Sequence, residues 1–102
     1  MEIKVEEGKN KITIKLIGDI FVEQGENLMN TFNKILEKNP ELVVIDMKDL
    51  KSITSSGIGK IVLLYKELSK KGGKIKITGV NDTISQIFKI VKLDKLVEIE
   101  SG

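Results

Sequence analysis

The chain has 102 residues, 40% of them hydrophobic and 31% charged, with a formal net charge of +2, which fits one ordinary globular domain. Cysteine and histidine are absent, excluding disulfides, thiolate metal sites, and the commonest general base and metal ligand. Every basic residue is a lysine scattered among acids, and no apolar run approaches the roughly 18 residues of a membrane span, so neither a nucleic-acid surface nor a membrane span is expected.

The opening MEIKVEEGKN is charged and alternating, unlike a signal peptide, and the expected setting is a reducing cytoplasm. Residues 2–6 alternate with Ile3 and Val5 on one face, and residues 11–17 alternate with Ile12, Ile14 and Leu16 on one face. Around the turn residues Gly8 and Asn10 these two runs predict a β-hairpin, its second strand ending at Gly18-Asp19. From Val22 the spacing changes: Val22, Gly25, Leu28, Met29, Phe32, Ile35 and Leu36 fall at three- and four-residue steps, an amphipathic helix that Pro40 stops.

Residues 42–45 are apolar on both faces, as expected of a central strand with helices on both sides of the sheet. Residues 48–52 predict a polar linker anchored by Leu50. A second helix over 56–71 carries Ile58, Ile61, Val62, Tyr65 and Leu68 and stops at Gly72-Gly73. Residues 74–78 alternate, with Ile75 and Ile77 inward. Asn81 or Asp82 caps a third helix bearing Ile84, Ile87, Phe88 and Val91, and a last short strand covers 96–99. The order β-β-α-β-α-β-α-β predicts an α/β fold: one domain over residues 1–102, with a mixed, mostly parallel sheet opened by a β-hairpin, and about three amphipathic helices.

The chemistry concentrates at Thr54-Ser55-Ser56-Gly57, where the central strand and its link give way to the second helix. A hydroxyl there caps the helix, an effect of about 1 kcal/mol, and one hydroxyl suffices. Three in a row, with glycines following, suit a place that holds or receives a phosphate. A phosphate-cradling loop ending in Gly-Lys-Ser/Thr is not present, since Ile61 follows Gly59-Lys60, and a dinucleotide fingerprint would need three spaced glycines after the first strand. No base stands out for a nucleophilic serine. No enzyme activity, cofactor or metal is expected. Tyr65 reads as a residue at the edge of the core, and Asp46 as an acceptor for loop amides.

The whole chain resembles a STAS domain, the family of bacterial anti-sigma factor antagonists. The resemblance lies in Ile17-Gly18-Asp19-Ile20, Val43-Val44-Ile45-Asp46, Ile53-Thr54-Ser55-Ser56-Gly57-Ile58-Gly59, the Gly72-Gly73 break, and Ile90-Val91-Lys92-Leu93-Asp94-Lys95-Leu96. It implies a protein that binds an anti-sigma factor serine kinase and is released when that kinase phosphorylates a serine at the helix start, with a cognate phosphatase to reverse it. By position that serine is Ser56, with Ser55 and Thr54 as alternatives. The implied partner surface is Asp19, Phe21, Thr54, Ser55, Ser56, Gly57, Ile58 and Lys60. Two positions depart from the family pattern, which has Asp where this chain has Thr54 and often an acid where it has Phe21. Many members also end in a further helix, whereas the last element predicted here is a strand. A STAS module of a transporter or stress-signalling assembly, without a phosphorylation cycle, is the alternative reading.

Overall fold

The computed structural model describes residues 2–101. The predicted hairpin is β1 (Glu2–Gly8) and β2 (Lys11–Ile20), antiparallel, with Asn10 in the left-handed conformation (φ 61°) that its side chain tolerates. Next come α1 (Gly25–Glu37), β3 (Leu42–Asp46), β4 (Leu50–Ile53), α2 (Ser55–Lys70), β5 (Lys74–Val80), α3 (Asp82–Ile90) and β6 (Glu98–Ser101). The main sheet runs β1-β2-β3-β5-β6, parallel from β2 onward, and β4 pairs in parallel with the end of β2.

Alternation along the strands decides which face is covered. Ile12, Ile14 and Leu16 of β2, Val43 and Ile45 of β3, and Ile75 and Ile77 of β5 point into one core. Leu28, Phe32 and Ile35 of α1, Ile61, Leu64 and Leu68 of α2, and Ile84 and Phe88 of α3 meet them there. Burying each such side chain contributes about 1.5–3 kcal/mol. The opposite face of the sheet carries Lys4, Glu6, Thr13, Lys15, Asp46, Lys76 and Glu98, none of them buried. There Lys76 sits 3.0 Å from Glu100 and 3.6 Å from Glu98. The hydrogen bond to Glu100, followed by that carboxylate's charge, raises its ammonium pKa.

Several expectations change. The β3 strand is central, but helices cover only one of its faces; Leu42 and Val44 on the other are half-buried. The predicted linker contains β4, whose Leu50 and Ile53 are both core residues. Strand β2 runs on to Ile20, and a 3-10 turn (Val22–Gln24) precedes α1, leaving Val22 69% exposed. Val91 caps α3 and is 49% exposed, and the last strand begins two residues later than predicted. Tyr65 borders the core, and Asp46 Oδ1 accepts from the Lys48 amide at 2.9 Å. Among the described residues no helix is long and apolar enough to cross a membrane.

Candidate functional site

The pairing of β4 with the end of β2 creates the site. A bulge between Gly18 and Asp19 lets the two strands end level, with Ile20 opposite Ile53. The Thr54 amide then donates to the Ile20 carbonyl at 3.1 Å, so the residue entering α2 is tied to the residue leaving β2. Asp19 and Phe21, far from Thr54 in sequence, flank that tie. Asp19 is half-buried, and its Oδ1 accepts from Ser52 Oγ at 2.5 Å across the pair.

Gly57 sets how close α2 comes. A Cβ there would lie 2.9 Å from Ile53 Cγ1, closer than real side chains come, and a tight 3.0 Å from Ile20 Cγ2. Absence of a side chain therefore lets the first turn of α2 rest on the two strand ends. Ile58, next along, is 5% exposed and belongs to the core. Gly57 and Ile58 are both buried and position the turn.

The three hydroxyls divide by role. Thr54 is the N-cap: its Oγ1 accepts from the Gly57 amide, though at a long 3.4 Å. Ser55 is exposed. Ser56 is half-buried, and its Oγ accepts from Lys60 Nζ at 3.2 Å. No acidic residue lies in the first turn of α2, so the positive end of the helix dipole has no counter-charge within that turn. Lys60 also reaches the start of α1: a Cβ on Gly25 would lie 3.0 Å from its Cε and 3.1 Å from its Nζ. Gly25, which periodicity places only on an apolar face, is the space that Lys60 occupies. No sequence pattern links residues 35 apart in this way.

Beside this turn the chain exposes apolar surface. Phe21 is 50% exposed, and its amide donates to Gln24 Oε1 at 2.7 Å, which holds the 3-10 turn closed. The Thr54–Ile20 tie thus brings the neighbours of Ile20, Asp19 and Phe21, to the end of the sheet where Thr54, Ser55 and Ser56 start α2, with Lys60 bonded to Ser56. An open depression of about 750 Å³ is lined instead by Ile17, Gly18, Asn81 and residues 48–51. Thr54, Ser55 and Ser56 do not line that depression.

The family model of the STAS domain matches residues 2–102. The anti-sigma-B factor antagonist of Bacillus subtilis (strain 168) is 24% identical over 101 residues, covering 99% of this chain and 92% of that protein. Among solved structures, an anti-sigma factor antagonist from Mycobacterium paratuberculosis superposes with a TM-score of 0.89 at 18% identity, covering 99% of this chain and 86% of that one. The anti-sigma factor antagonist SpoIIAA in its unphosphorylated form gives 0.80 at 14% identity, with 99% and 89% covered. These structural likenesses establish a shared fold.

Proposed function

The chain belongs to the STAS domain family, and on that premise we propose that it is an anti-sigma factor antagonist that works by partner switching. Unphosphorylated, it binds an anti-sigma factor that is also a serine kinase, and the sigma factor is freed. The kinase then transfers the γ-phosphoryl group of ATP to Ser56 Oγ. The oxygen–phosphorus bond forms, the bond to the β-phosphate's bridging oxygen breaks, the hydroxyl proton passes to a base of the kinase, and ADP leaves. The modified antagonist lets go until a cognate phosphatase hydrolyses the ester. In this scheme the chain acts in the cytoplasm by binding alone.

The observation that carries the reading is the first turn of α2, which holds Ser56 without an acid in the turn and is tied through Thr54 to Ile20, the neighbour of exposed Phe21. A phosphoserine adds about −1.5 to −2 charges at neutral pH. At a helix N-terminus such a charge suits the fold, whereas within an interface an unmatched charge costs several kcal/mol. About 3 kcal/mol already weakens binding on the order of a hundredfold. Phosphorylation can therefore empty the interface and leave the fold standing.

Incubation with ATP and the partner kinase, followed by mass spectrometry, should place one phosphate on Ser56. Ser56→Ala should bind the kinase and take no phosphate. Ser56→Asp should lose roughly a hundredfold in affinity with its melting temperature unchanged or raised. Normal binding by the Asp variant would sink the switch. A phosphate on Ser55 or Thr54 would keep the switch and move its site. No phosphate from an active kinase would leave a STAS module that binds without this cycle.

A further inference from the structure

We propose that Lys60 is an internal counter-ion for a phosphate on Ser56, so that modification adds an anion to the partner surface and withdraws a cation from it. The inference rests on the reading that Ser56 is the modified residue. Its starting point is geometric: Lys60 Nζ already donates to Ser56 Oγ at 3.2 Å, and among the described residues Lys60 joins no ion pair. Its side chain does not run out into solvent. It turns along α2 and ends between Ser56 and the side-chain-free Gly25 at the start of α1.

The spacing favours capture. Residues four apart on a helix are neighbours, and an anion on the N-terminal side of a lysine is the better of the two orientations. A phosphate on Oγ would bring three acceptor oxygens to an ammonium that is within hydrogen-bonding distance of that same Oγ, with no movement of the backbone. Before modification Lys60 faces a neutral hydroxyl, a weak partner that it can exchange for a carboxylate on an approaching protein. After modification a charge-assisted bond holds it. The pair Ser56–Lys60 thus passes from about +1 to between about −0.5 and −1. A partner surface with an acidic group at this point loses its cation and meets an anion in one event.

The test uses the full chain with phosphoserine encoded at position 56 during synthesis, so no kinase is needed. Phosphorus NMR titration gives the second acid constant of the phosphate in the parent, Lys60→Met and Lys60→Arg. Asp19, Glu23 and Glu26 are the acids on the elements flanking the site. They act on all three chains alike, so the comparison isolates residue 60. The parent and Lys60→Arg should show an acid constant about two- to threefold larger than Lys60→Met, as an ion pair of this spacing implies, and the difference should shrink at about 1 M salt. Equal constants in all three would overturn the proposal. Lys60→Gln repeats the comparison should Lys60→Met fail to fold. A kinase that phosphorylates another residue would defeat the Ser56 reading and leave these constants as measured, so the two failures are distinct.

Discussion

Two helices begin where strands end in this molecule, and the two starts are built differently. At α3, Asn81 Oδ1 accepts from the Ile84 amide at 2.8 Å, while its Nδ2 donates to the Leu50 and Lys51 carbonyls. Asp82 supplies a negative charge in the first turn, and Ile84, three residues past the cap, is wholly buried. At α2 the cap bond is 3.4 Å, the first turn has no acid, and the position matching Ile84 is Gly57. The residue matching Thr83 is Ser56, and four residues further on Lys60 takes the place of Ile87. At the α3 start the cap side chain has both its donor and its acceptor groups engaged, and the first turn carries an acid. The α2 start has a long cap bond, no acid in its first turn and a lysine held only by a neutral hydroxyl, and on the reading proposed above it is the end that meets a partner.

The third helical position tests the comparison most severely. Ile84→Ala should destabilise by about 2–5 kcal/mol, as removal of a buried isoleucine does. Gly57→Ala should destabilise by about 1–2 kcal/mol for the opposite reason: a methyl at about 3 Å from two core isoleucines overpacks, partly offset by alanine's better helix propensity. Thermal melts read both, at roughly 4–8 °C per kcal/mol in a domain of this size. A stabilised Gly57→Ala would show that α2 does not rest on the strand ends as described.

Most of the fold is legible in local chemistry. Strict alternation in β2, the polar caps at 54 and 81, and the glycines after Lys71 are all short-range signals, and each element they mark is present. What escapes such signals is set by partners distant in the chain. Leu50-Lys51-Ser52-Ile53 is too short to declare itself a strand; it becomes one because the end of β2 offers free backbone groups. Val22 and Val91 keep the helical spacing yet lie beyond the helices proper, where no neighbour covers them. Leu42 and Val44 read as doubly buried, but apolar composition cannot say whether a second layer of helices exists. At the site, the hydroxyls and Lys60 are readable as types. That Ser56, Lys60 and Gly25 meet is a fact of how α1 and α2 pack.

The caps give the next contrast. Asn81→Ala removes an acceptor at 2.8 Å and two donor contacts to the start of β4, so it should destabilise by about 1–2 kcal/mol. Thr54→Ala removes one long bond and should fall at the low end of the N-cap range, about 0.5 kcal/mol. Chemical denaturation of the two variants side by side reads the difference. Equal losses would mean that the α2 start is as fully committed to the fold as the α3 start, and the comparison would lose its point.

The smallest effect is expected at Gly59, and its sign matters more than its size. An added Cβ there meets nothing within 4 Å, and glycine inside a helix is worse than alanine by about 0.5–1 kcal/mol. The matching residue of α3 is Gln86, a good helix former. Gly59→Ala should therefore stabilise the isolated chain by about that amount, a rise of a few degrees in its melting temperature. No described residue requires the glycine, so any requirement for it would come from outside the chain. If a partner lies against the first two turns of α2, the methyl occupies space that the partner fills, and the stabilised variant should bind its kinase more weakly than the parent. A variant both more stable and equally well bound would free Gly59 of any role in the interface and confine the contact to Ser56, Lys60 and the exposed ring of Phe21.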